Sequence, residues 1–192
     1  MQAIADPRPA ALPHLPPGAG WRAVIGERNI LLLAVHPGDE TALFGGLVAR
    51  ACAAGRAPFV AVLTDGSTQP GAPGEDPRRV ALRRERETRA AAAALGLDGD
   101  RLLFVGLFDG TVPSGGPMFD ALVAAMDLVM WRNDCTVLVA AEGGDADAQA
   151  ALLVARAAAR RTGLGLVVRV DRPGGTMLEV GPCRRGPAHA AV

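Results

Sequence analysis

The sequence predicts an α/β fold: a single Rossmann-like three-layer domain built on a mainly parallel sheet. Three observations carry this. Short apolar runs recur at intervals of about thirty residues along the 192-residue chain, and they are apolar on both faces, as strands inside a parallel sheet are. Between them lie longer stretches of helical periodicity, several closed by glycine. The runs break into polar, turn-forming loops. Alternation of this kind builds βαβ units with right-handed crossovers.

Taken in order, residues 1–27 are Pro-rich and aperiodic and read as an extended lead-in, with Trp21 and Ile25 positioned to pack it against the domain. The domain is expected over 28–182 and a tail over 183–192. Ile30 to Val35 is the first strand, His36-Pro37-Gly38-Asp39-Glu40 its loop, and Thr41 to Ala54 the first helix, closed by Gly55. Pro58 to Leu63 is the second strand and ends in Thr64-Asp65-Gly66-Ser67. A helix starts at Pro77, which suits a first helical turn, and runs to Leu95 before Gly96. Arg101 to Val105 is the third strand, 106–117 a long loop and 118–131 the third helix. Thr136 to Ala140 is the fourth strand, followed by the acidic loop Glu142 to Asp147 and an Ala-rich helix over 148–162. Leu164 to Val170 is a fifth strand, and Thr176 to Val180 a sixth, antiparallel at the edge. The simplest sheet order is 3-2-1-4-5. It brings the loops after strands one and four face to face at the switch point, where open α/β sheets hold ligands.

Composition narrows the function. The formal net charge is zero, so nothing in it favours nucleic acid or a membrane surface. All basic residues are arginine, which excludes lysine Schiff-base chemistry. Cys52, Cys135 and Cys183 form no CxxC pair and no even disulfide set, so a reducing cytoplasm is the expected location. The apolar, Ala-rich helix surfaces would permit a homo-oligomer. Glycine-rich dinucleotide and phosphate-loop signatures and a nucleophile elbow are missing from the positions where they would be needed.

The chemistry-bearing stretch is His36 to Glu40. An imidazole and a carboxylate three residues apart can converge on one metal ion; equally, Asp39 can cap the following helix and His36 satisfy a turn. Arg84 and Glu87 can pair along a helix, or Arg84 can face the cleft. Asp65 and Asp109 each precede a glycine, as turn residues do.

These pieces, in this order, resemble the LmbE/PIG-L family of metal-dependent N-deacetylases. The resemblance covers about 28–170. It rests on Leu-Leu-Ala-Val-His36-Pro37-Gly38-Asp39-Glu40, Gly45-Gly46, Leu63-Thr-Asp65-Gly66, the Arg84 to Gly96 helix and Gly106-Leu-Phe-Asp109-Gly110. It implies a zinc held by His36, Asp39 and a third ligand after strand four, a substrate that is an N-acetyl sugar conjugate, and Arg84, Asp65 and Asp109 at the substrate cleft. The family's catalytic motifs are degenerate here. Gly38 stands where the general base should be, Asp145 at the position of the carbonyl-polarising His, and Ala148 at the third metal ligand, while Asp147 matches the motif's Asp. The expectation is therefore a deacetylase-like protein without catalytic zinc, a pseudoenzyme that binds a ligand or partner. The alternative is an N-deacetylase whose metal site is remodelled. Asp145, Asp147 or Glu142 would then replace the histidine, the metal would be a harder divalent ion, and Glu40 or Asp65 would act as base.

Overall fold

β1, Ile30–Ala34, is buried along its whole length, and its alternating side chains decide the architecture. Leu31 and Leu33 enter one apolar cluster while Ile30, Leu32 and Ala34 enter a second, because successive strand residues point to opposite faces. A strand that is apolar on both faces needs a helical layer on each. A computed structural model describes residues 28–69, 74–172 and 175–180. The lead-in with Trp21 and Ile25, the tail and Cys183 lie outside the described residues.

After β1 come α1 (Asp39–Ala42), α2 (Gly45–Ala53), β2 (Phe59–Thr64), α3 (Pro77–Ala94), a 3₁₀ turn (Gly99–Arg101), β3 (Leu102–Leu107), α4 (Gly116–Arg132), β4 (Val137–Ala141), α5 (Ala146–Thr162), β5 (Gly165–Arg172) and β6 (Gly175–Val180). The sheet order is β3-β2-β1-β4-β5-β6. The first five strands are parallel, with Leu32 opposite both Val60 and Val139. β6 lies antiparallel on β5. The expected order and the antiparallel edge strand are both present.

Each layer has its own apolar filling. On one face Val123, Met126 and Met130 of α4 and Ala151, Val154 and Ala155 of α5 cover Leu31, Leu33, Leu63 and Leu138. The alanines let α5 lie close to the sheet, and burial pushes the Cys135 thiol in this layer up to about 11. On the other face Phe44, Leu47, Val48 and Ala92 cover Leu32, Val60, Val62 and Val139.

One expected element is divided. The helix predicted over 41–54 breaks at Leu43-Phe44 into α1 and α2. Phe44 has left helical backbone geometry (φ −125°, ψ 4°) and is 1% exposed in the second cluster. The two glycines that follow are weak helix formers, so burying the ring costs little regular structure. Asp76 caps α3, its carboxylate accepting the Arg78 N–H at 2.9 Å, with Pro77 in the first turn. Among the described residues no helix is long and apolar enough to cross a membrane.

Leu138, on β4 at the centre of the sheet, is fully buried. Leu138→Ala is expected to lower the unfolding free energy by about 2–5 kcal/mol through the cavity it leaves, measured by urea denaturation with an unchanged slope.

Candidate functional site

The carboxyl ends of β1, β2, β3 and β4 converge, and a set of carboxylates holds their loops in place. At β1 the chain turns through Gly38, whose φ of +104° strains any side chain. The Asp39 carboxylate turns back and accepts the N–H groups of Val35 (3.2 Å) and His36 (2.9 Å). Glu40 is 1% exposed and accepts the Gly38 N–H at 2.9 Å, while burial pushes its carboxyl pKa up. The helix-capping role open to Asp39 from the sequence thus falls to neither its carboxylate nor Gly38, which has no side chain.

At β2, the Thr64 hydroxyl donates to the Val35 carbonyl at 3.1 Å and Asp65 accepts the Ser67 N–H at 3.0 Å, closing a local turn. Asp109, after β3, reaches across to this loop. Its two oxygens accept the N–H groups of Gly66 (3.1 Å) and Thr68 (2.9 Å), and the Thr68 hydroxyl at 3.0 Å. Burial works against ionisation of Asp109, but these donors and the Thr64 hydroxyl outweigh it and lower its pKa.

After β4 the two aspartates divide the work differently from the sequence expectation. A helix over 148–162 would leave Asp147 at its cap position. Asp145 is the cap, accepting the Ala148 N–H at 2.8 Å. Asp147 points into the cleft, 4% exposed, and its two oxygens accept the N–H groups of Gly110 (2.6 Å) and Val112 (2.9 Å). The helix starts at Ala146, two residues before the expected 148, and this places Asp147 within its first turn. The expected helix start at 148 put that turn too late in the chain.

His36 stands between two of these groups, with Asp39 3.7 Å from Nδ1 and Asp147 3.7 Å from Nε2. The Asp39 carboxylate raises the imidazole pKa above 6.5; burial opposes this, and Asp145 and Asp109 add to the rise. His36, Asp109 and Asp147 offer ligand atoms that all lie within 4.8 Å of one another, close enough to share one divalent cation. Asp39 sits at the other imidazole nitrogen. Glu142 is exposed, and its N–H bonds to the Arg169 carbonyl.

Arg84, on α3, meets both readings open to it. Nη1 pairs with Glu87 at 2.8 Å, and Nη2 donates to the Pro37 carbonyl at 3.4 Å. It lines an open pocket of about 180 Å³ with Pro37, Gly38, Glu40, Thr41 and Glu87. A Cβ on Gly38 would lie 3.7 Å from Nη2, so the guanidinium borders Gly38. The burial of Glu40 and the crossing bonds of Asp109 had no signal in the sequence beyond the position of each acid at a strand's end.

A family model described as PIG-L, GlcNAc-PI de-N-acetylase, matches residues 31–159. The chain belongs to the PIG-L family. Its fold is similar to N,N′-diacetylchitobiose deacetylase from Pyrococcus horikoshii (TM-score 0.64, 14% identity, covering 73% of this chain and 60% of that one). It is also similar to GalB, the 4-carboxy-2-hydroxymuconate hydratase of Pseudomonas putida KT2440 (0.62, 18%, 74% and 65%). A third similar structure is the zinc-inhibited form of teicoplanin deacetylase Orf2 (0.58, 19%, 76% and 68%). At these identities the likeness establishes the PIG-L fold alone. The chain spans about three fifths of the first of these and two thirds of the others. No protein of curated function matches the chain in sequence.

Asp147→Ala leaves two backbone N–H groups without their acceptor and is expected to cost about 3 kcal/mol of stability, read from urea denaturation. His36 has a raised folded-state pKa. Its protonation therefore adds stability that is complete below pH 6.5 and is lost as pH rises through the folded value. NMR titration of the His36 ring should give a midpoint above 6.5 that falls in Asp39→Ala.

Proposed function

We propose that this PIG-L chain has lost the family's catalytic zinc and works by holding a ligand, an N-acetyl sugar conjugate, in the cleft at the carboxyl ends of its parallel strands. The observation that carries this reading is the fate of the residues after β4. Ala148, at the third-ligand position, has no lone pair to offer, and its N–H is bound by Asp145. The neighbouring Asp147 uses both oxygens on the backbone of the β3 loop. A catalytic zinc takes three protein ligands and keeps a fourth position for water. His36 and Asp39 are two, and the Asp39 oxygen nearest His36 already accepts two N–H groups. Gly38 brings no base to the cleft, and loss of a general base alone costs about 10²–10⁴-fold in rate. The donor set does not fit the family's zinc.

The cleft keeps polar groups suited to a sugar amide. Arg84 presents donors beside Gly38, and Asp65 and Asp109 stand on the neighbouring loops after β2 and β3. The ligand class is supported by relatives that are named as deacetylases of diacetylchitobiose and teicoplanin. Another relative is named as a hydratase, so the fold does not fix one reaction. The free thiols of Cys52 and Cys135 suit a reducing, cytoplasmic setting.

One observation favours a second reading. His36, Asp109 and Asp147 form a nitrogen-and-oxygen set of the kind that suits Mn²⁺ or Mg²⁺ better than zinc, which is the remodelled, metal-dependent N-deacetylase. When bound, such an ion would polarise an amide carbonyl and acidify water.

Elemental mass spectrometry of protein purified without chelator separates the two. The proposal expects no stoichiometric metal and no release of acetate from N-acetylglucosamine conjugates. It also expects calorimetric binding of diacetylchitobiose that weakens at least about tenfold in Arg84→Ala, or about 1.4 kcal/mol. Near-stoichiometric metal that disappears in His36→Ala, together with acetate release, would replace it with the second reading.

A further inference from the structure

Phe108 follows β3 at the carboxyl ends of the strands and, at 69%, is the most exposed large hydrophobic side chain among the described residues. A lone exposed apolar side chain is ordinary; its place sets this one apart. The other six lie within α3, β3, α4 and α5. Phe108 alone of them stands in a loop. It is next in the chain to Asp109, whose carboxylate offers a ligand atom within 4.8 Å of those of His36 and Asp147. Consecutive Cα atoms are about 3.8 Å apart, so Phe108 is at the rim of that cluster.

The backbone that carries the ring is fixed on both sides. The Leu107 carbonyl accepts the Asp65 N–H at 2.8 Å. The Phe108 carbonyl accepts the Thr111 hydroxyl at 2.7 Å and the Thr111 N–H at 3.1 Å. Asp109 is held by the β2 loop, and Gly110 and Val112 by Asp147. A loop bonded at every residue from 107 to 112 keeps its aromatic side chain in water, although burial would remove about 150–250 Å² from solvent. An apolar plane on a rigid base beside a few polar side chains is the makeup of a ligand site.

We propose that Phe108 is the stacking platform for the outer ring of a disaccharide whose inner, N-acetylated ring lies at His36, Asp109 and Asp147. This role rests on the reading of the cleft as a site for an N-acetyl sugar conjugate, and it names the part of that ligand which the rim selects. A pyranose carries hydroxyls round its edge and C–H bonds on its face. The polar cluster suits the hydroxyls and the amide. The face needs a flat partner with no hydrogen-bonding group of its own, and the phenyl ring supplies one, because the negative face of its quadrupole attracts C–H hydrogens. With two side-chain torsions on a fixed backbone, the ring loses little conformational freedom on binding. A monosaccharide at His36 does not extend to the rim, so Phe108 acts on disaccharides alone.

Calorimetric titration of the full chain with N-acetylglucosamine and with N,N′-diacetylchitobiose tests this. The parent chain should bind the disaccharide at least about tenfold more tightly than the monosaccharide. Phe108→Ala, an exposed change, should keep the melting temperature, bind the monosaccharide as the parent does and lose that gain. Phe108→Trp should keep the gain and Phe108→Leu should lose it, because leucine is apolar but has no ring face. In NMR spectra the C–H protons of the outer sugar should shift to high field with the parent chain and not with Phe108→Ala. A parent chain that binds both sugars equally overturns the proposal and leaves the reading of the cleft standing. So does a Phe108→Ala variant that keeps the gain or weakens both sugars alike, a Phe108→Leu variant that keeps the gain, or the lack of a high-field shift. Binding of neither sugar by the parent chain overturns both.

Discussion

The hold of Asp147 on the β3 loop is the constraint on which the rest of the site depends. A carboxylate that is 4% exposed is tolerable only when its charge is met by donors, and here these are the N–H groups of Gly110 and Val112. The two bonds tie the start of α5 to a loop that would otherwise leave backbone donors facing the cleft. That loop carries Asp109, which in turn holds the β2 loop through Gly66 and Thr68. The β1 loop closes on itself through Asp39 and Glu40. Neighbouring strand ends are thus linked from β4 to β3 to β2 by carboxylates acting as acceptors for backbone donors.

This arrangement explains why an acidic cleft can exist in a chain of zero net charge. Asp39, Asp109 and Asp147 each accept backbone N–H groups, and His36 stands between Asp39 and Asp147. The same bonds compete with metal ligation. The Asp39 oxygen that accepts two N–H groups has its strongest lone-pair directions in use. Arg84 borders the space beside Gly38.

Much of the fold was legible. Apolar runs bounded by turn residues located the strands to within about two residues, and the rule of right-handed crossovers ordered them. The helix after β1 was not legible as two pieces, because the break comes from burying Phe44 against strands and helices of its own face of the sheet, a contact formed only in the folded chain. The candidate site was legible in composition and only partly in geometry. His36, Asp39, Asp109 and Asp147 were all singled out, and the structure brings His36, Asp109 and Asp147 together. The division between Asp145 as cap and Asp147 as cross-loop acceptor turned on where α5 begins, and two aspartates two residues apart offer two equally good caps.

What the sequence by itself determined is the layered α/β architecture, the placement of the polar loops at strand ends and the family. These follow from local periodicity and from residue types in order. It also puts glycine at 38 and alanine at 148, and neither carries a donor side chain in any fold. Which oxygen meets which N–H, and whether a carboxylate faces a metal site or a loop, was decided only by tertiary structure. Those contacts join residues about 35–45 positions apart, where a shift of one residue in a helix start turns a side chain by about 100°.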